Sequence, residues 1–271
     1  MKKRAMTSIW IMFSIFIIIF IVSLFVTSNL NPSQRVWILL DLWSILLATI
    51  LLIKYKLPPT KQICTSAILA LLVSFAYINT PTALFSGVKG FILTFIVSLS
   101  IFSTLSNMSK NKLFILRNRN KKEIGVSISI GILFGAVWGG VNYILMLSNQ
   151  QPEFHLSINH FLLSLSPAIY EELVCRTLYF VFCLHLLQGQ SPTKWQQFTC
   201  WFMMVVPHVM PHTPSSFLQG GPIGGIITTL LYIVIFGLPF AILQRKRDVT
   251  SAMIGHGLVD TIRFSFFGLP F

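Results

Sequence analysis

Charge is what this chain has least of. Only 10% of its residues are charged, where soluble domains carry about 25%. With 54% hydrophobic residues and a mean hydropathy of +0.77, that deficit excludes an ordinary soluble globule. Apolar runs of eighteen or more residues place the chain in a membrane. Acids are scarcest: seven Asp and Glu stand against twenty Lys and Arg, a formal charge of +13. The basic residues sit in clusters between apolar runs, without the interleaved aromatics that a strand-binding groove needs. Nucleic acid is therefore not the expected partner, and the clusters read as topology signals and contacts with anionic lipid headgroups.

Other absences narrow the reading. Cys64, Cys175, Cys183 and Cys200 show no CxxC spacing and lie in or beside apolar segments. They read as small buried hydrophobes, so neither a disulfide framework nor a zinc-thiolate site is indicated. No HExxH occurs. No small-residue cleavage site follows the run from Thr7 to Asn29, which is expected to be a retained first span rather than a signal peptide. No internal repeat of the kind that marks many transporters is visible.

What is present is a series of apolar segments: Thr7 to Asn29, Val36 to Tyr55, Ile63 to Ile78, Leu84 to Leu105, Ile124 to Leu147, His160 to Leu187, Trp195 to Met210, Ile223 to Leu243 and Val249 to Phe264. Crossing the hydrocarbon takes about 20 helical residues, and the third, seventh and ninth are short. The expectation is an all-α polytopic transmembrane helical bundle of eight or nine spans. With nine spans and a cytoplasmic N-terminus carrying Lys2, Lys3 and Arg4, simple alternation puts four further basic loops on the same side. These hold Lys54, Lys56 and Lys61; Lys110, Lys112, Arg117, Arg119, Lys121 and Lys122; Lys194; and Arg245, Lys246 and Arg247. The opposite loops hold only Arg35. That is the positive-inside pattern of a multi-pass cell-membrane protein.

The basic linker "SNMSKNKLFILRNRNKKE" divides the chain into residues 1–123, spans plus linker, and 124–271, where the chemistry is expected. Before it, Asp41 is the only acid and there is no histidine. His155, His160, His185, His208, His212 and His256 all follow it. His155, His160 and His185 fall at segment ends, where interfacial placement accounts for them.

The stretch "SPAIYEELVCRTLYF" carries Glu171, Glu172 and Arg176 into an apolar run. A charge at the bilayer centre costs about 2.5 to 3.5 kcal/mol on the lenient insertion scale. On an α-helix Glu172 and Arg176 would share a face in the favourable order, while Glu171, about 100° around, would look across the bundle for a partner. Two later segments supply candidates. "VVPHVMPH" puts His208 and His212 four apart, with Pro207 and Pro211 expected to break or kink the helix. "AMIGHGLVDT" puts His256 and Asp260 on one face, where Gly255 and Gly257 permit close backbone approach.

Two chemistries suit this set. In one, Glu171 with a histidine activates water, and His256 with residue 260 stabilises the oxyanion of a hydrolysed amide. In the other, Glu171, His208 and His256 hold zinc, which lowers the pKa of the water itself. Lacking HExxH, and with prolines in the His208–His212 pair, the chain fits the metal-free version better.

In order, "EELVCR" matches an EExxxR motif, His208 or His212 the histidine of an FxxxH motif, and "HGLVD" an HxxxN/D motif. Over Leu156 to Phe264 the chain thereby resembles the CPBP family: type II CAAX prenyl proteases and bacterial bacteriocin-processing, self-immunity or abortive-infection proteins. It departs in having Met204 where the second motif has an aromatic, Asp260 where the third usually ends in Asn, and Cys175 and Thr177 where Phe and Gly are common. The resemblance implies an intramembrane endopeptidase of the glutamic type, acting on a membrane-associated peptide or protein. Glu171 and the second-motif histidine would activate water, Glu172 and Arg176 would orient them, and His256 and Asp260 would stabilise the oxyanion. Of the two histidines His208 is preferred, because it lies inside the apolar run. A prenylated protein is the family's eukaryotic and archaeal substrate. For a bacterial chain, which the sequence style suggests, a bacteriocin or signalling-peptide precursor or an immunity role is expected. A membrane protein of this kind that binds a peptide without cutting it, and a proton-coupled carrier, are the competing readings. The lopsided placement of acids and histidines speaks against the carrier.

Overall fold

Hydrocarbon offers no hydrogen-bond partners, so a chain this apolar must satisfy its backbone internally. The computed structural model describes residues 2–108, 113–116, 120–148, 150–187 and 192–269, with side chains from residue 6 onward. It is all-helical, with no strand among the described residues. The elements run α1 (Lys2–Phe25), α2 (Pro32–Tyr55), α3 (Thr60–Ala76), α4 (Ala83–Ser106), α5 (Lys121–Met146) and α6 (Ile158–Leu165). Two π-helical stretches follow, Ser166–Glu171 and Leu173–Thr177, then α7 (Leu178–Leu187), α8 (Lys194–Val209) and a 3-10 turn, Met210–His212. After it come α9 (Pro214–Tyr232), a π-helical stretch at Ile233–Gly237, α10 (Leu238–Lys246) and α11 (Val249–Phe267).

Helix starts follow local chemistry. Asn31 and Gln34 form a capping box ahead of α2, with Pro32 at the first position, and Thr193 with Gln196 does the same for α8. Asn120 caps α5 and Asp248 caps α11. Each satisfies amide N–H groups that the first turn leaves without partners. Pro207 does not break α8, which runs through it to Val209 before tightening into the 3-10 turn. The cysteines are unbridged. Cys175, Cys183 and Cys200 are buried as small apolar groups, whereas Cys64 is exposed on α3, contrary to the expectation of burial for all four.

Among the described residues, five helical segments are long and apolar enough to cross a membrane: Met6–Phe25, Pro32–Tyr55, Ala83–Ser106, Lys121–Met146 and Pro214–Lys246. Their outward residues are large and apolar, among them Ile18, Leu84, Leu133 and Ile223. An exposed apolar surface on this scale is a lipid-facing one. The protein is a multi-pass membrane protein. Of the basic residues used for topology, Lys110, Lys112, Arg117 and Arg119, with the side chains of Lys2, Lys3 and Arg4, lie outside the described residues.

The helices group into two units. One takes the described residues of Met1–Pro59, Ile96–Lys110 and Val174–Ala241; the other takes those of Thr60–Phe95, Asn111–Leu173 and Ile242–Phe271. In the first unit the starts of α1 and α8 meet, with Trp10 stacked on Trp195 at 5.6 Å between centroids and its Nε1–H donating to Thr199. The ends of α2, α4 and α7 also meet. Ser103 donates to the carbonyl of Lys56 at 2.6 Å, and the Tyr55 hydroxyl bonds His185 Nδ1 at 2.9 Å.

In the second unit α11 packs most extensively along α5, and the two run parallel. Gly131, Gly135 and Gly139 form a stripe at four-residue spacing that lets the backbones close up. A Cβ on Gly135 would fall 2.8 Å from the carbonyl oxygen of Gly255 and from Cβ of Leu258. Small residues in this pattern are how membrane helices gain contact where no hydrophobic effect drives them together. The starts of α5 and α11 are tied by Ser127 donating to Asp248 at 2.6 Å, and by Arg247, which pairs with Glu123 at 2.9 Å. At the opposite end, the amides of Glu153 and His155 bond to the carbonyls of Phe266 and Ser265, both at 2.8 Å.

The stripe makes a paired prediction. Gly135→Val should lower the unfolding free energy in detergent by about 1–3 kcal/mol, the usual cost of overpacking. Gly140→Val lies on the same helix with nothing within 4 Å of its Cβ, and should change it by less than about 0.5 kcal/mol. Equal effects in thermal or denaturant melts would refute the close α5–α11 contact.

Candidate functional site

The run that begins at α6 supplies the acidic residues through unusual backbone. Ser166–Glu171 and Leu173–Thr177 are π-helical on either side of Glu172. A π-turn adds a residue to the repeat, so the facing of side chains four apart no longer follows the α-helical rule. Such turns are frequent at functional sites. Packing holds the distortion in place. On α11, Gly257 has no side chain to keep it from Ala168 of the first π-stretch, and a Cβ there would lie 3.1 Å from that of Ala168. Thr261, one turn further, donates to Ser164 at 2.8 Å.

In the second unit this brings Glu171, Glu172, His256 and Asp260 together. Glu172 is wholly buried. Its Oε1 accepts from His256 Nδ1 at 2.7 Å, and its Oε2 and carbonyl oxygen both accept from Gln244 Nε2, at 2.5 and 3.3 Å. A carboxylate has only acceptors, so the proton on this face of His256 sits on Nδ1. The other ring nitrogen, Nε2, faces Asp260 at 3.5 Å and Glu171 at 3.9 Å. Arg263 approaches the far oxygen of Asp260 at 3.9 Å. The side chain of Glu171 retains 17% exposure, against none for Glu172. Neighbours in sequence thus occupy opposite situations: one acid is locked, the other reaches accessible space.

Arg176 and the second-motif histidines lie in the first unit. Arg176 is wholly buried, stacks over the Phe240 ring at 5.4 Å, and donates from a terminal guanidinium nitrogen to His208 Nδ1 at 2.8 Å. Guanidinium can only donate, so His208 accepts at Nδ1 and, when neutral, carries its proton on Nε2. Trp37 stands at a steep angle to both imidazoles, 6.5 Å from His208 and 5.3 Å from His212. His208 is buried in α8, whereas His212 is exposed in the 3-10 turn.

These bonds bear on a metal. Ligation needs a nitrogen lone pair that nothing else uses, and as bonded here neither nitrogen of His208 offers one. His256 could ligate only through Nε2, because Nδ1 is committed to Glu172.

Among the remaining histidines, His185 is tied to Tyr55 in the first unit, and His155 and His160 stand 5.8 Å apart in the second. Three site residues were not legible as such. Gln244 sits in "AILQRK" and reads as the polar end of a span; Phe240 and Trp37 read as lipid-facing aromatics. Comparison of the chain with protein-family profiles, curated proteins and solved structures returned no match.

Pairing between Glu172 and His256 predicts a coupling. His256→Ala, which strips a wholly buried carboxylate of one donor, should destabilise the protein by about 3–5 kcal/mol. In a Glu172→Leu background the same substitution should cost at least about 1 kcal/mol less. Denaturant melts of the four proteins in detergent measure the difference, and additive losses would show that the two side chains do not support each other.

Proposed function

We propose that the protein is an intramembrane endopeptidase of the glutamic type, CPBP-like in its three motifs, and that it cuts a membrane-associated peptide or protein. The observation that carries the reading is the Glu172–His256 bond, with Asp260 and the partly exposed Glu171 on the other edge of the same imidazole. Ionisable residues inside membrane helices are expensive and ordinarily mark function. This group goes beyond neutralising charge, since one acid fixes the histidine while the other keeps accessible surface.

In the proposed reaction Glu171 takes a proton from water as the water oxygen bonds to the scissile carbonyl carbon. The oxyanion that forms is held by hydrogen-bond donors at residue 260 and at His256, whose ring must carry a second proton, on Nε2, to donate there because its Nδ1–H is committed to Glu172. Glu171 then passes its proton to the amine as the C–N bond breaks, giving a free carboxyl and a free amino end. Glu172 orients His256 and Arg176 orients His208. The latter bond makes His208, when neutral, an Nε2–H donor rather than a proton acceptor, leaving Glu171 as the base. To donate to the oxyanion Asp260 must itself carry a proton; otherwise it serves to orient His256.

The proposal includes an eight- or nine-span arrangement in the cell membrane with the N-terminus cytoplasmic. Supporting it, the joined helix ends within each unit are the ones the basic loops assign to a common side. These are α1 with α8, and α2, α4 and α7 in the first unit, and α5 with α11 in the second. A bacteriocin or signalling-peptide precursor, or a self-immunity role, is the proposed context.

The deciding experiment compares new protein N-termini, by mass spectrometry of membranes, in cells expressing wild type, Glu171→Gln, Asp260→Asn and His208→Ala at matched abundance. Peptide ends present with wild type should vanish with Glu171→Gln and fall by about 100-fold or more with His208→Ala, the scale of losing a water-activating or oxyanion group. Asp260→Asn, which keeps a donor, should retain them. Cleavage that survives in Glu171→Gln would end the peptidase reading and leave a peptide-binding or immunity protein. With purified protein, cleavage should persist in a zinc chelator; loss restored by added zinc would replace the glutamic mechanism with a metal one.

A further inference from the structure

Gln244 stands outside all three motifs, yet its amide nitrogen lies 2.5 Å from a carboxylate oxygen of Glu172. It is 1% exposed, near the end of α10. Its orientation follows from chemistry: both groups it touches, a carboxylate oxygen and a backbone carbonyl, are acceptors, so the amide nitrogen faces them. One NH2 group thereby spends one N–H on the side chain of Glu172 and the other on the main chain of the same residue. That double grip ties the glutamate rotamer to its own backbone, at the junction between two π-helical stretches. Of the two carboxylate oxygens, Gln244 occupies Oε2 and leaves Oε1 for His256.

We infer, resting on the peptidase reading above, that Gln244 is a positioning residue that sets the tautomer of His256 through Glu172. With Oε2 and the main chain both held, Oε1 is fixed where Nδ1–H points. A neutral His256 is then held with its proton on Nδ1, and its Nε2 edge is kept toward Asp260 and Glu171. A residue that only filled space would be replaceable by one of equal shape, whereas this role requires two N–H donors at the end of a side chain of this length.

The experiment uses full-length protein in lipid nanodiscs with 15N-labelled histidine. The Nδ1–H signal of His256, identified by its loss in His256→Ala, is compared in wild type, Gln244→Met, Gln244→Asn and the double exchange Glu172→Gln with Gln244→Glu. Methionine keeps the shape and removes both donors; asparagine keeps the donors and withdraws them by one carbon. Both should abolish the single slowly exchanging Nδ1–H signal or split it between tautomers. The double exchange, which rebuilds the side-chain contact but sets a carboxylate against the main-chain carbonyl of residue 172, should restore it in part. It moves the amide to position 172 and the carboxylate to position 244, so that the amide donates across the same contact and still presents its oxygen to His256. Where Glu171-dependent N-termini are found, their yield should fall about 10- to 100-fold in Gln244→Met, the range seen when an orienting partner is lost, and recover in part in the double exchange. An unchanged Nδ1–H signal in Gln244→Met overturns the assignment whether or not the protein proves to be a peptidase. Absence of any cleavage with a signal that shifts as expected overturns the peptidase reading and leaves the positioning of His256 standing.

Discussion

A carboxylate with no solvent contact, inside a largely apolar helical protein, is the constraint on which the rest of this structure turns. Glu172 cannot be there as a lone charge, since the effective penalty for a buried ion is several kcal/mol even after relaxation. It is satisfied from α11 by His256 and from α10 by Gln244. Those two helices must therefore reach the same point on the run that follows α6, to within a hydrogen bond. The glycine stripe on α5, which brings α11 close, and the bare Cα of Gly257, which admits Ala168, are the packing features that make that reach possible.

The π-helical backbone solves a related geometric problem. On a straight α-helix residues 172 and 176 would stack on one face, and a single patch of the bundle would have to serve both. Widening the turn on both sides of Glu172 changes which neighbours each can meet. Glu172 is bonded by α11 and α10 within one unit, and Arg176 by His208 and Phe240 within the other. Glu172 and Arg176 of "EELVCR" are each anchored to a histidine, and each histidine is presented in a defined protonation pattern. Backbone regularity is lost and two oriented imidazoles are gained.

Much of this was legible beforehand. Each apolar run coincides with a helix or a succession of helices, because a run of that length in hydrocarbon satisfies its backbone by coiling on itself. The spacing of His256 and Asp260 placed them on one face of α11, where they lie 3.5 Å apart. What could not be read depended on geometry that residue spacing does not encode. Nothing in "SPAIYEELVCRTLYF" announces a doubled π-turn, so a four-residue rule could not say that Glu172 bonds His256 while Arg176 bonds His208. Gln244 lies 72 positions from Glu172, next to the three basic residues Arg245, Lys246 and Arg247 that the sequence assigns to a loop. The glycine stripe was open to reading: Gly131, Gly135 and Gly139 recur at the spacing of a close helix contact.

The difference between the two glutamates bears on why a membrane protein would keep both. Residue 172 has no access to solvent and both carboxylate oxygens engaged, so it can hold a histidine but cannot receive a proton from water without giving up a bond. Residue 171 has accessible surface and stands 3.9 Å from the opposite edge of that histidine. On the proposed peptidase reading one acid picks up and releases a proton in each cycle while the other holds still, and a single side chain cannot meet both needs. Placing them side by side in sequence puts them on different faces of one helical run. The backbone and His256 link the two, so that the accessible acid and the fixed one meet at one imidazole ring.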